Sequence, residues 1–209
     1  MNSDIKNALK DALILLIITL FAGLALGFVH EITLKPIEEQ KKAAVERSCS
    51  AVFPDEEGFS HVAGFMDADD VREQISALTF DNGISIGNIY YALDDSGNRT
   101  GYAIEVTSAE GYGGDIKVMC GVTTDGVLRG VSILEISETA GLGMKAGNVL
   151  VPQLHNISAD HITFTKTGST SESEIDAISG ATVTTTAFVN IVNAALDVSG
   201  IISAEGGAS

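Results

Sequence analysis

The chain has no tryptophan, three prolines and two cysteines in 209 residues, and its 12 lysines and arginines are outnumbered by 28 aspartates and glutamates. Each scarcity excludes something. A formal net charge of −16 repels a phosphate backbone, so nucleic acid is not an expected partner. Cys49 and Cys120 lie far apart and form no C-x-x-C pair, which makes two buried, idle thiols a simpler expectation than a disulfide. The four histidines, His30, His61, His155 and His161, stand without a serine or cysteine motif beside them, and there is no G-x-S-x-G. Nucleophilic catalysis therefore has no support, and no histidine spacing suits a metal. Asp67, Asp69 and Asp70 crowd together but lack the glycine and terminal glutamate spacing of a calcium loop. There is no G-x-x-x-x-G-K-(S/T), and Gly141-x-Gly143 lacks the strand, the helix and the third glycine of a dinucleotide fingerprint. ATP and nicotinamide are not expected ligands.

One long apolar run is present. Ala12 to Val29 is eighteen residues without a charge between Asp11 and His30, just long enough to cross a bilayer as a helix. A cleaved signal peptide is the competing reading, with small residues at Ala25-Leu26-Gly27. Against it, Lys6 and Lys10 are offset by Asp4 and Asp11, and the run exceeds a typical signal core. A retained single-pass anchor is expected, its eleven-residue tail in the cytoplasm. Residues 1–47 carry six basic and six acidic side chains, whereas 48–209 carry six basic and twenty-two acidic ones. The whole acidic excess thus belongs to the part expected outside the cytoplasm. Pro36 is expected to interrupt the apolar helix, and Ile37 to Arg47 then reads as a second, polar helix ending before Pro54.

The remainder predicts an α+β domain in which an antiparallel β-meander packs against a C-terminal helix, preceded by the transmembrane helix. Ile86 to Leu93, Thr100 to Thr107, Ile116 to Thr123 and Val127 to Ile136 are strand-like runs separated by turn residues. His161 to Thr165 reads as a fifth strand. From Thr182 to Leu196 apolar residues recur at three and four, with Gly200 as a stop. The expected divisions are 1–34 for the cytoplasmic tail and anchor, 35–85 for a juxtamembrane helix and connecting segment, 86–200 for the globular domain and 201–209 for a tail. Asp176-Ala177-Ile178-Ser179-Gly180-Ala181-Thr182 puts one threonine at a strand-to-helix corner. Such a threonine is either a plain helix cap or a carrier of phosphate, because a helix N-terminus leaves N–H groups unpaired and favours an anion.

Three separated motifs in one order, Gly111-Tyr112-Gly113-Gly114, then Glu138-Thr139-Ala140-Gly141-Leu142-Gly143, then Asp176 to Thr182, carry a resemblance. Over about residues 86 to 196 the chain resembles the FMN-binding domain found in the G-type subunit of Rnf complexes and in the C-type subunit of the sodium-pumping quinone reductase. The resemblance implies a flavinylation motif, D-x-x-(S/T)-G-A-(S/T), whose last residue, here Thr182, is joined to FMN by a phosphoester bond. Asp176, Ser179, Gly180, Ala181 and Thr185 then belong to the attachment segment. Gly113, Gly114, Gly141 and Gly143 allow backbone to approach a flat ring, Leu142 lies against its face, and Glu138 and Thr139 offer hydrogen bonds. Family members often have proline where Ala140 stands. The implied protein is an electron-transfer subunit of an ion-translocating ferredoxin:NAD+ oxidoreductase, held in the cytoplasmic membrane with its FMN domain on the extracytoplasmic side. It takes part in no substrate turnover of its own. Its partners are the complex's other membrane and redox subunits, and a flavin transferase during maturation. The quinone-reductase component is the second reading, and an exported binding module of the same fold without flavin is the third.

Overall fold

Four long strands rich in β-branched residues build the centre of the molecule, which a computed structural model describes for residues 2–76 and 79–206. Strands β2 (Ile84–Leu93), β3 (Arg99–Ser108), β4 (Ile116–Thr123) and β5 (Val127–Ile136) follow one another antiparallel, as their composition predicts. Two short edges that the sequence signals too weakly to announce, β1 (Gly64–Asp67) and β6 (Ile157–Ser158), complete a six-stranded sheet in sequential order. The turns are held by their own residues. Asp94 Oδ1 accepts the Ser96 and Asn98 N–H groups, each at 2.8 Å, between β2 and β3.

The expected fifth strand is corrected by the structure. Only Thr163–Thr165 (β7) is extended, and it pairs in parallel with Glu174–Asp176 (β8) in a separate two-stranded sheet.

Helix α1 (Asn2–Ala51) runs through Pro36 without a break, so the expected interruption is also corrected. A proline removes one backbone hydrogen bond, and the many remaining turns on each side hold the helix. Ala12–His30 within it is long and apolar enough to cross a membrane and is wholly exposed. The chain divides into two compact units that meet between Val45 and Glu46, and the last turns of α1 therefore belong to the unit that holds the sheet. Helix α2 (Asp69–Ser76) lies in the connecting segment; α3 (Ala146–Val149) follows β5, between short 3-10 turns at Gly143–Lys145 and Val151–Gln153.

Helix α4 (Thr182–Gly206) lies across one face of the sheet and does not stop at Gly200. Although it also has the length and composition of a membrane span, Phe188, Ile191, Val192 and Ala195 are fully buried, so it is a core helix. Tyr102 Oη and Ser203 Oγ are 3.3 Å apart, which places the even-numbered side chains of β3 on the α4 face. The other face receives Val52 and Phe53. A Cβ on Gly121 would lie 2.5 Å from the Val52 carbonyl oxygen, and one on Gly101 would lie 3.0 Å from the Phe53 ring. Absence of side chains there lets the end of α1 lie flat on the strands. Cys49 sits in those last turns, whereas Cys120 pairs in register with Ile104 and so faces α4. The two free thiols are on opposite faces, and burial pushes each up to about 12.

Gly121→Val is accordingly expected to push Val52 off the sheet. Overpacking of this kind costs about 1–3 kcal/mol, or roughly 2–4 °C in melting temperature per kcal/mol for a domain this size. Thermal unfolding of the detergent-solubilised chain checks it, and an unchanged midpoint would show that the end of α1 contributes nothing to the domain.

Candidate functional site

Register brings three loops together at one end of the sheet. Pairing of Ile116 with Ile136 sets the loop before β4, residues 109–115, beside the loop after β5, residues 137–142. The approach is so close that a Cβ on Gly113 would lie 2.1 Å from the Ser137 carbonyl oxygen. Glu138 Oε1 then accepts the Tyr112 N–H at 2.7 Å, tying the two loops. The third loop leads from β8 into α4, and Gly180 turns it with a φ of +79°, a conformation that suits glycine.

Between the three loops lies a cavity of about 430 Å³, lined by Tyr112, Glu138, Thr139, Leu142, Gly143, Gly180, Ala181, Thr182, Val183 and Thr184. That volume is in the range of small-molecule sites, roughly 300–1,000 Å³. Seven of the residues singled out from sequence are in this lining: Glu138, Thr139, Leu142, Gly143, Gly180, Ala181 and Thr182. Leu142 and Val183 are exposed at its mouth with Tyr112. Gly143 is the tightest point of the wall, since a Cβ there would lie 2.7 Å from Glu138 Cβ, from Glu138 Oε2 and from Thr184 Oγ1.

The other singled-out residues stand behind or beside the lining. Gly113 and Gly114 serve the loop packing, with φ +151° at Gly114 and φ +79° at Gly141. Ser179 is exposed on the turn. Asp176 accepts the Ser169 N–H at 2.7 Å with Oδ1. The Thr185 hydroxyl donates to the Ala181 carbonyl at 2.9 Å and accepts the Ile178 N–H at 3.2 Å, pinning the corner from within.

Thr182 is the first residue of α4 and is half-buried. Its hydroxyl makes no hydrogen bond among the described residues, so it caps nothing. The N–H groups of Thr182, Val183 and Thr184 likewise have no partner among the described residues, and the first paired one is that of Thr185, to Ala181 O at 3.0 Å. Three unpaired donors at the start of a 25-residue helix favour an anion. The lining has no histidine, cysteine, lysine or arginine. It offers hydroxyls, backbone N–H groups and the Glu138 carboxylate with which to bind and orient a ligand.

Sequence reasoning passed over Tyr112, Val183 and Thr184 as site residues. Tyr112 stood inside a motif already quoted, and the other two follow once a helix start is placed at Thr182. It also missed Gln153, for which no sequence signal exists. From the 3-10 turn after α3, Gln153 Oε1 accepts the Asp176 N–H at 2.7 Å and its Nε2 donates to the Asp176 carbonyl at 3.2 Å. The amide thereby fixes the segment that delivers Thr182. Gln153→Ala is expected to leave both backbone groups unpaired, at a cost of about 1–3 kcal/mol, and to lower hydrogen-exchange protection at Asp176. Unchanged protection would mean that β8 is held from elsewhere.

Residues 111–197 match the FMN-binding domain family. The chain is 31% identical over 197 residues to the G-type subunit of the Na(+)-translocating ferredoxin:NAD(+) oxidoreductase complex of Acetobacterium woodii, covering 93% of each chain. It is 27% identical over 205 residues to the G-type subunit of the ion-translocating oxidoreductase complex of Methanosarcina acetivorans, covering 93% of this chain and 96% of that one. The fold is similar to that of the crystal structure of Shewanella oneidensis NqrC, with a TM-score of 0.57 at 16% identity, over 82% of this chain and 100% of that chain.

Proposed function

Because this chain belongs to the family of G-type subunits of ion-translocating oxidoreductase complexes, we propose that it is a membrane-anchored electron-transfer component of an Rnf-type complex, carrying FMN through a phosphoester bond to Thr182. The observation that carries the reading is the cavity at the start of α4. It joins a threonine hydroxyl and three N–H groups, all without a partner among the described residues, to a glycine-walled slot of small-molecule size. These residues fit a flat group that ends in a phosphate. FMN, when bound, supplies one- and two-electron transfer, and the chain's own residues hold and orient it. Gly143 and Leu142 flank the slot, Glu138 and Thr139 supply polar edges, and the corner from Asp176 to Ala181 presents Thr182. Asp176, Ser179 and Thr185 act from behind, as do Gly113, Gly114 and Gly141.

The anchor is Ala12–His30, in the cytoplasmic membrane, and residues 86–200 form the FMN-binding domain on the extracytoplasmic side. A dissociable cofactor would be lost there by mass action, and a covalent bond prevents the loss. The attaching enzyme is a separate flavin transferase, and electrons pass to and from other membrane and redox subunits of the complex. The test is the intact mass of chain produced with and without the transferase. A gain equal to one FMN less water is expected, and no gain would overturn the attachment.

A further inference from the structure

We propose that Thr184 fixes the phosphate: its hydroxyl, with the N–H groups of Thr182, Val183 and Thr184, forms a single donor pocket for the oxygens of a phosphate ester. The inference rests on the reading of Thr182 as the attachment residue, and it adds a positioning residue that lies two places beyond it.

Burial singles Thr184 out. Among the described residues the buried polar side chains are Ser108, Arg129, Thr184, Thr185 and Ser199. Ser108 accepts the Glu110 N–H. Arg129 donates to the Pro54 carbonyl at 2.7 Å. Thr185 bridges Ile178 and Ala181, and Ser199 donates to the Leu196 carbonyl at 2.8 Å. Thr184 is 1% exposed and has no hydrogen-bond partner among the described residues. Among the described residues the one fully enclosed side-chain polar atom without a partner is Arg72 Nε, so the Thr184 oxygen is not sealed off in the core; what little surface this residue keeps opens on the cavity that it lines.

Position supplies the missing partner. Thr184 lines the cavity, and its oxygen would be 2.7 Å from a Cβ on Gly143, so the hydroxyl points at the slot's glycine wall. Three backbone donors at the same helix start have no acceptor either. A phosphate diester on Thr182 keeps two non-bridging oxygens and one negative charge, and it would bring acceptors to these donors at the positive end of α4. A hydroxyl that served only to fill space would be replaced by valine without consequence. A donor to phosphate would not.

The experiment uses the full chain in detergent, not yet labelled with flavin, titrated with inorganic phosphate while the amide resonances of residues 182–184 are followed. Thr184→Val keeps the shape and removes the donor, and Thr184→Ser keeps the donor. Valine is expected to weaken phosphate binding about tenfold, or about 1.4 kcal/mol, with serine close to the unmodified chain. Equal affinity in the valine variant, or equal loss in both, would overturn the proposal. If the valine variant fails to fold, Thr184→Ala provides the second donor-free side chain and is judged by the same comparison. Intact mass after exposure to the transferase is measured separately. A chain that binds phosphate through Thr184 but gains no FMN would refute the attachment and leave this site standing, while a labelled chain indifferent to Thr184→Val would do the reverse.

Discussion

Thr182→Val is expected to abolish the flavin mass gain completely while leaving the fold intact. Four threonines, 182, 184, 185 and 186, open α4, and their environments differ. Thr185 is fully buried and uses its hydroxyl to hold Ile178 and Ala181. Thr186 donates to the Thr182 carbonyl at 2.9 Å. Thr184 is 1% exposed, too enclosed for an incoming enzyme. Of these four, Thr182 alone has a hydroxyl that is accessible and without a partner among the described residues. Sequence reasoning alone would charge about 1 kcal/mol to this substitution for a lost helix cap. The hydroxyl caps nothing, so the change should stay within about 0.5 kcal/mol, as for an ordinary surface substitution. Intact mass and thermal unfolding of the variant give both readings. Retained label would refute attachment at Thr182.

Gly143→Val is the second large effect, and it should be felt at the flavin and in the loops at once. A branched side chain there meets the Cβ and Oε2 of Glu138 and the Oγ1 of Thr184 at 2.7 Å, and the Cβ cannot swing away as the end of a long side chain can. Glu138 must move, which breaks its bond to the Tyr112 N–H. A hydrogen bond to a charged group contributes about 1.5–3 kcal/mol, so a measurable loss of stability accompanies the change. Attachment at Thr182 should persist, since Thr182 is not among the three atoms nearest to a Cβ on Gly143. In the labelled protein, a spectroscopic redox titration should give a shifted reduction potential or semiquinone yield. Unchanged potentials in a folded variant would place Glu138, Thr139 and Leu142 away from the ring.

Much of the fold was legible because its signals are local. Four strands of eight to ten residues are β-rich runs bounded by turn residues, and a turn can be held by its own side chain, as at Asp94. The weak elements were the ones that depend on neighbours. β1 and β6 are four and two residues long and exist because a sheet edge offers partners. β7 needed β8, which arrives from nine residues further along the chain and belongs to a different sheet. Pro36 and Gly200 were read as breaks, and both helices continue through them. Propensity at one residue is outweighed when many neighbouring turns, or a buried face, favour the helix.

The sequence by itself determined the apolar span, the acidic globular part, the order of the meander strands and the corner that starts α4 at Thr182, because each is set by residues within a few positions of one another. Tertiary structure alone decided that the 111–114 and 138–143 loops face Thr182 across one cavity, since that depends on the register of β4 against β5 and on where α4 crosses the sheet. It also decided the parts played by Gln153 and Thr184. A side-chain amide that pairs with a backbone 23 residues away, and a hydroxyl that lines the cavity beside Gly143, acquire meaning only when packing has brought segments distant in the sequence together.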